Sequence, residues 1–474
     1  MICAEKESRP AAKKGYTMQS QDKLGTMPIG KLLIVMSVPM MISMLVQALY
    51  NTVDSMFVAH LSEDALTAVS LAFPFQNIMN AVAVGSGLGV NALVSRSLGQ
   101  GNRAQAERTA NVQMFLSLCY SVVFAVLGAI FARKIFAMQT DNADIVAYGE
   151  QYLSICSLFA IGMFYGQNME KLLIATGNSV QSMVCQAFGA VVNIILDPIL
   201  IFGLGPIPSL GVAGAAWATV IGQFLAALLA LGFNLRWNKA TRFRFAQMLP
   251  NWKIIRMIFS VGIPSMLTVC LSSIMSFGMN TILLTFSTTA AAVFGVWLRL
   301  QYFAFMPVFG LNNGTIAIYS YNFGAGNFDR VRKALRLALL MGGCFTAAIA
   351  LFYELCPRMM LGLFDASDYM LSIGVPALRI CGISLLFGGL SLVFSSSYQS
   401  LGYSGFTLLG NATRQMILPL PLAFLLSRTG VLTNVWFAVI ISETLTCLMS
   451  VFLSRYVMKQ SRLRIEARLR GENA

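Results

Sequence analysis

Residues 99–102 read GQGN, and residues 324–327 read GAGN, 225 positions further along the chain. The same separation aligns other residues that rarely coincide by chance, namely Pro39 with Pro264, Gln76 with Gln301, Gly85 with Gly310, Gly89 with Gly314, Ser95 with Ser320 and Gly177 with Gly402. Near residue 211 the separation shortens to 219, which pairs Gly211-Val212 with Gly430-Val431 and Trp217 with Trp436. The chain is therefore predicted to contain two copies of one fold.

The chain of 474 residues is too apolar for a water-soluble protein. Hydrophobic residues make up 57% of it and charged residues 11%, against about 25% charged in soluble domains, and the mean hydropathy is +0.70. A spanning helix needs about 20 apolar residues, and such segments occur near 32–59, 65–95, 109–138, 147–172, 179–203, 211–235, 253–285, 289–321, 332–356, 371–400, 404–427 and 432–456. We predict an all-α integral membrane protein with twelve transmembrane helices, which excludes soluble, disordered, collagen-like and disulfide-rich secreted classes.

The repeat divides the twelve spans into two lobes of six helices each. We predict an N-terminal tail over residues 1–31, an N-lobe over 32–235, a basic linker over 236–252, a C-lobe over 253–457 and a basic C-terminal tail over 458–474. Because six is an even number, both lobes have the same orientation, related by a pseudo-two-fold axis along the membrane normal. Such parallel repeats occur in secondary transporters.

Basic residues are concentrated in the tails, the linker and the connections on one side of the membrane. The 33 Lys and Arg residues exceed the 19 Asp and Glu residues by 14, and the opposite connections hold only Arg133, Lys134, Arg358 and Arg428. By the positive-inside rule both termini are predicted to be cytosolic. The excess positive charge is therefore explained by the membrane topology, and nucleic-acid binding is not expected. No apolar signal-peptide core precedes Pro28.

The clearest intramembrane carboxylates are Asp54 in the first predicted span and Asp197 in the fifth. A charged group at a helix centre costs about 2.5–3.5 kcal/mol on insertion scales, so both residues are candidates for function. Residues three or four apart share a helix face, which gives each carboxylate polar neighbours, namely Gln47, Tyr50 and Asn51 for Asp54 and Asn193 for Asp197. With the hydroxyl of Thr219 in the sixth span, they are predicted to form a polar pocket in the N-lobe.

The predicted pocket is suited to a small cation. Two carboxylates in a medium of low dielectric cannot both ionise cheaply, so the pair could share a proton. Carboxylate, amide and hydroxyl oxygens also form the hard shell that alkali cations prefer, which would place Na⁺ at Asp54, Asn193, Asp197 and Thr219. The structural alternative is that either aspartate only pairs with a neighbouring helix.

The second half offers no equivalent acidic pair, since Met279 and Asn280 occupy the corresponding region. Its intramembrane charges include Arg299 and Glu443, for which a place in the central cavity and a purely structural ion pair remain equally open. Glu170 lies near a predicted helix end and is expected to face water. Ion coupling is therefore predicted to belong to the N-lobe.

No catalytic constellation is visible in the sequence. His60 is the single histidine, the nine cysteines are scattered without a CxxC motif, and no nucleophile elbow or phosphate-binding loop occurs. The cysteines are expected to be buried apolar residues rather than zinc ligands or disulfides. We therefore expect neither an enzyme nor a resident cofactor.

Several motifs resemble the multidrug and toxic compound extrusion (MATE) family, in particular its bacterial DinF-like branch. The resemblance spans roughly residues 27–457 and rests on short motifs in a common order, namely PMMISMLVQALYNTVDSMFVAH at 39–60, the turn at 99–102, NIILDP at 193–198, GVAGAAWAT at 211–219, Ile263-Pro264, GAGN at 324–327 and QSLG at 399–402. The family's cation-site pattern matches Asp54, Asn193, Asp197 and Thr219. Its polar surroundings match Gln47, Tyr50 and Asn168.

The resemblance implies a transporter of the bacterial plasma membrane whose two lobes surround a central cleft. It would export cationic, amphipathic compounds in exchange for H⁺ or Na⁺ by alternating access. Its expected binding partners are membrane lipids and small organic cations. A monomer is sufficient for that mechanism. The alternative within the same superfamily is a flippase for lipid-linked oligosaccharides, which shares the scaffold but usually needs a basic cavity.

Overall fold

A computed structural model describes residues 20–203, 208–238, 240–244 and 248–470, and these residues form helices joined by short connections. The helices are α1 Ser20–Thr26, α2 Ile29–Ala59, α3 Glu63–Gly99, α4 Arg103–Ala137, α5 Ala143–Leu158, α6 Ile161–Ala175, α7 Ser179–Phe202, α8 Val212–Trp237, α9 Trp252–Leu284, α10 Thr288–Gly324, α11 Phe328–Leu355, α12 Pro357–Gly362, α13 Asp368–Leu401, α14 Ser404–Ala412, α15 Pro419–Ser427 and α16 Leu432–Leu469. The predictions for residues 1–19, 239, 245–247 and 471–474 lie outside the described residues.

The helices provide the twelve predicted spans, two of them in broken form. In the described ranges, ten helices are each long and apolar enough to cross a membrane, and α5 with α6, bent by 48°, makes an eleventh. The twelfth consists of α14, a π-helical turn at Thr413–Ile417 and α15. Pro419 at the start of α15 cannot donate a helical hydrogen bond, so the helix is interrupted there. The predicted spans at 147–172 and 404–427 are thus correctly located, but each is a broken helix rather than a continuous one.

The two lobes meet in contacts that repeat under the internal symmetry. A side chain at Gly99 of α3 would collide with the backbone of Tyr321 in α10, and one at Gly324 of α10 would collide with the backbone of Arg96 in α3. Each of these two contacts is the image of the other under the shift of 225 residues, as a pseudo-two-fold axis requires. The predicted arrangement of two six-helix lobes about an axis along the membrane normal is therefore confirmed.

A second pair of contacts extends this interface along the same helices. Gly85 of α3 packs against Met266 of α9, and Gly310 of α10 packs against Met41 of α2, again at positions related by 225 residues. The hydrophobic core of the C-lobe also takes in Leu32 of α2. The lobes are therefore packed tightly at the end of the molecule where the C-termini of α3 and α10 lie.

The short helix α1 is attached to the C-lobe, although it leads directly into the N-lobe. Leu24 is fully buried. Its carbonyl oxygen accepts hydrogen bonds from Asn322 Nδ2 and Arg330 Nη2, both at 3.2 Å, and the carbonyl of Met27 accepts a further one from Arg330 Nη2 at 2.8 Å. Because arginine donors satisfy carbonyls at the helix C-terminus, these bonds anchor α1 beside the lobe interface.

Candidate functional site

The fifth and sixth spans bring three polar side chains of the predicted cation site together. Asn193 and Asp197 lie one turn apart on α7 and are 3% and 0% exposed. Asn193 Nδ2 donates to Asp197 Oδ1 at 3.3 Å and to Thr219 Oγ1 on α8 at 3.4 Å. The i, i+4 spacing of the sequence thus produces the shared face, and the packing of α7 on α8 adds the hydroxyl.

Two oxygen atoms of this cluster have no partner among the described residues. Asn193 Oδ1 and Asp197 Oδ2 are both buried and accept no hydrogen bond. A buried oxygen without a donor is unfavourable, and in native proteins such atoms usually face water, a proton or a cation. These oxygens, together with the hydroxyl of Thr219, fit the hard-oxygen coordination that Na⁺ would require.

Asp54 lies on α2, which packs along α7. Its side chain is half-buried, and its Oδ1 atom is buried without a partner among the described residues. Two ionised carboxylates on helices packed in this way would repel each other. Either a shared proton or a bound cation would relieve that repulsion. The two aspartates predicted to act together therefore lie on neighbouring helices of the N-lobe that pack against each other.

A cavity of about 80 Å³ with both polar and apolar lining adjoins the cluster, between α2, α6, α7 and α8. It is lined by oxygen- and nitrogen-bearing side chains from all four helices, namely Gln47, Tyr50, Gln167, Glu170, Gln186, Asn193, Thr219 and Gln223, and by apolar residues such as Met163 and Ala226. The cavity therefore combines hydrogen-bonding groups with apolar surface, which is the usual composition of a ligand site, in a volume below the roughly 300–1,000 Å³ of sites for drug-sized molecules.

Two predicted members of the polar surroundings lie elsewhere. Asn51 is exposed on α2 and does not line the cavity. Asn168 is fully buried, and its Nδ2 atom donates to Ser117 Oγ at 2.8 Å and to the carbonyl of Phe164 at 2.7 Å. Asn168 therefore joins α6 to α4 beside the cavity rather than facing into it.

Several lining residues were not predicted from the sequence. The largest difference is Glu170, which was expected to face water but is only 8% exposed and lines the cavity. Gln186 and Asn193 are seven residues apart on α7, and a spacing of two turns places them on one face. That spacing was the signal in the sequence that would have extended the predicted pocket toward Gln186.

The two intramembrane charged residues of the C-lobe singled out in the sequence, Glu443 and Arg299, differ in their surroundings. Glu443 on α16 is 5% exposed and pairs with Arg414 of the π-helical turn at 3.5 Å. Arg414 also lies over the ring of Phe305, 5.6 Å from its centroid. Arg299 is exposed on α10 and makes no ion pair within the described part of the chain. Of the two interpretations left open, the ion pair is therefore observed for Glu443.

We predict that breaking the Glu443–Arg414 pair lowers the thermal unfolding temperature of the detergent-purified protein. Arg414→Met should destabilise the protein by about 3–5 kcal/mol, because the partner is left as an uncompensated buried charge. The double variant Arg414→Met/Glu443→Gln should regain most of the loss. As a control, Arg462→Met removes an exposed pair with Glu466 at 2.8 Å and should change stability by about 0–1 kcal/mol. Equal effects of the two arginine substitutions would contradict a structural role for the buried pair.

A membrane protein of two parallel six-helix lobes, with a polar cavity inside one of them, has the architecture of a secondary transporter. The sequence model of the MatE family matches residues 39–199 and 264–425, one match in each lobe. The chain belongs to the MatE family, which confirms the resemblance seen in the sequence. Members of this family are membrane transporters rather than enzymes.

Relatives of similar length support this assignment. Multidrug export protein MepA of Staphylococcus haemolyticus (strain JCSC1435) is 27% identical over 437 residues, covering 90% of this chain and 93% of that protein. The protein of the same name from Staphylococcus aureus (strain NCTC 8325 / PS 47) is 26% identical over 435 residues, covering 91% and 94%.

Solved structures share the fold over nearly the whole chain. A multidrug resistance MATE family transporter of the MOP superfamily in its outward-facing conformation has a TM-score of 0.87 at 24% identity, covering 94% of this chain and 100% of that one. A MOP superfamily transporter from Pyrococcus furiosus, described as having a binding pocket of reverse polarity that suggests a different function, has a TM-score of 0.85 at 24% identity, covering 96% and 99%.

Proposed function

We propose that this protein is a secondary antiporter that exports cationic, amphipathic compounds in exchange for H⁺ or Na⁺. The observation that carries the proposal is the pair of unpartnered buried oxygens, Asn193 Oδ1 and Asp197 Oδ2, beside Asp54 and a polar cavity. Two MepA relatives bear the description of multidrug export proteins, which supports organic compounds as the exported substrates.

The small cation would bind at Asp54, Asn193, Asp197 and Thr219. A proton would settle on the aspartate pair and remove one of its two negative charges, whereas Na⁺ would accept the free oxygens of Asn193 and Asp197 as ligands. In both cases the bound cation cancels negative charge at the edge of the cavity. The cavity then attracts a second, organic cation less strongly, because like charges in a medium of low dielectric repel.

Exchange follows when the two ligands disfavour each other. Such coupling is reciprocal, so a small cation that lowers the affinity for the organic cation is itself bound less tightly when the organic cation is present. The paired inter-lobe contacts around Gly99 and Gly324 close one end of the molecule. We infer that transport opens these contacts and closes the opposite ends of the lobes, as a rocking motion of two repeats requires.

The charge distribution supports an orientation for this scheme. With both termini and the linker in the cytosol, the closed end faces the cytosol and the N-lobe cavity would load the small cation from outside. The protein would act as a monomer in a bacterial plasma membrane, surrounded by lipid. The aspartates beside the cavity favour cationic substrates over the anionic lipid-linked oligosaccharides that a flippase would carry.

Transport by purified protein in proteoliposomes tests the proposal. Proton and sodium gradients are imposed separately, with ethidium as the organic cation and protein-free liposomes as the control. We expect one of the two gradients to drive ethidium movement against its concentration gradient and its collapse to stop that movement. Ethidium movement at the same rate with and without either gradient would contradict ion-coupled antiport. Movement of a lipid-linked oligosaccharide in place of ethidium would favour the flippase.

A further inference from the structure

Glu170 is a buried carboxylate for which the scheme above has no use. It lies on α6, is 8% exposed and lines the N-lobe cavity. Within the described ranges its carboxylate accepts no hydrogen bond and has no cation at salt-bridge distance. A charged group in such surroundings needs a partner, and the cavity is the space from which a partner could come.

Glu170 differs from the aspartate pair in its relation to the cavity. Glu170 lines the cavity together with Asn193 and Thr219, whereas the lining does not include Asp54 or Asp197. A molecule in the cavity could therefore contact Glu170 without touching either aspartate.

The cavity wall near Glu170 is rich in amides. Gln47, Gln167, Gln186 and Gln223 come from four different helices, and Gln186 Nε2 donates to Gln47 Oε1 at 3.1 Å. Gln186 Oε1 in turn accepts a hydrogen bond from the hydroxyl of Ser43. Some of these amides thus satisfy one another, whereas the carboxylate is left to accept a hydrogen bond from a ligand.

The neighbouring residue Lys171 is a basic residue that does not line the cavity. Lys171 is 5% exposed, and its Nζ donates to Asn313 Oδ1 of α10 at 2.9 Å. It therefore reaches across the interface into the other lobe, while its charge still acts electrostatically on Glu170. A cation in the cavity and Lys171 would therefore compete for one carboxylate.

We propose that Glu170 selects substrates whose cationic end carries N–H donors, such as ammonium, amidinium or guanidinium groups. This inference rests on the proposed export function and assigns a role to one further residue of the cavity. A carboxylate accepts charge-assisted hydrogen bonds from such groups, which are about twice as strong as neutral ones. Quaternary ammonium and phosphonium ions offer no donor, so they gain only the general attraction of a negative charge.

Equilibrium binding to the purified full-length protein tests the inference with two probes. 4′,6-Diamidino-2-phenylindole carries two amidinium groups, and tetraphenylphosphonium carries a single charge without donors. Glu170→Gln should weaken binding of the diamidine by about tenfold or more, the range expected for a lost hydrogen bond to a charged group, and should weaken phosphonium binding much less. The control Glu150→Gln removes a carboxylate of α5 that is paired at the surface with Arg133 at 3.9 Å and should change neither affinity.

A second variant gives an effect of opposite sign. Lys171→Met removes the competing charge and should tighten diamidine binding, while leaving the carboxylate in place. This variant decides the question if Glu170→Gln does not fold. Equal changes for both probes in Glu170→Gln, or unchanged or weaker diamidine binding in Lys171→Met, would overturn the inference alone. Failure of the wild-type protein to bind either probe would overturn the proposed function as well.

Discussion

Asp197→Asn is expected to abolish ion-driven export while leaving the protein folded. Asparagine has nearly the same shape, and its side-chain oxygen can still accept the hydrogen bond from Asn193 Nδ2 that Asp197 Oδ1 accepts at 3.3 Å. The asparagine side chain can neither take up a proton at physiological pH nor supply a negative charge to Na⁺. Ethidium export from cells, or into inverted vesicles under an imposed gradient, should therefore fall to the level of vesicles without the protein.

Asp54→Asn should have the same effect, because both carboxylates contribute to one site. The matched control is Asp141→Asn, which removes an exposed carboxylate from the connection before α5 and should export at the wild-type rate. Expression and a single symmetric peak in size-exclusion chromatography establish that each variant is folded. Export at the wild-type rate by Asp54→Asn and Asp197→Asn would refute the assignment of the coupling site.

Gly310→Leu is expected to cause the second large effect, by preventing the lobes from packing together. A Cβ atom at Gly310 would lie 2.5 Å from the Cα atom of Met41, and a backbone atom cannot move aside as a flexible side chain can. Overpacking of a close contact typically destabilises it by about 1–3 kcal/mol. A closed end that cannot form should stop the transport cycle, and export should fall to background in the same vesicle assay.

A glycine of the same helix provides the control for this variant. Gly295 also lies on α10, and a Cβ atom there would meet no other atom within 4 Å, so Gly295→Leu should export normally. The internal repeat predicts a second sensitive glycine, because Gly85 in the N-lobe occupies the position equivalent to Gly310 in the C-lobe. Gly85→Leu should therefore also impair export, although to a smaller extent, because the nearest contact there is the side chain of Met266, with the backbone of Gly262 next.

The spans and the repeat could be predicted from the sequence because both depend on properties that extend over many residues. Twenty apolar residues identify a membrane helix wherever its side chains point, and one register of matching glycines identifies the second lobe. The bend between α5 and α6 and the π-helical turn could not be predicted. Each depends on how a few backbone groups pack against neighbouring helices, and hydropathy does not record this.

The candidate site was partly predictable for the same reason. Asn193 and Asp197 are four residues apart on one helix, so their shared face follows from helical geometry alone. The prediction for Glu170 was wrong because a position near a helix end suggests contact with water, whereas the packing of α6 against α3, α4, α7 and α8 encloses this residue. Arg414 and Glu443 come from different helices, and only their packing shows that they form a pair at 3.5 Å.

The most direct test of the account is the affinity of purified protein for ethidium, measured with and without Na⁺ and at acidic and alkaline pH. We expect either Na⁺ or acidification to weaken ethidium binding to the wild-type protein, and we expect this effect to disappear in Asp197→Asn. Ethidium binding that is the same under all four conditions would show that the small cation and the organic cation do not compete, and it would contradict the coupling of the two through the N-lobe aspartates.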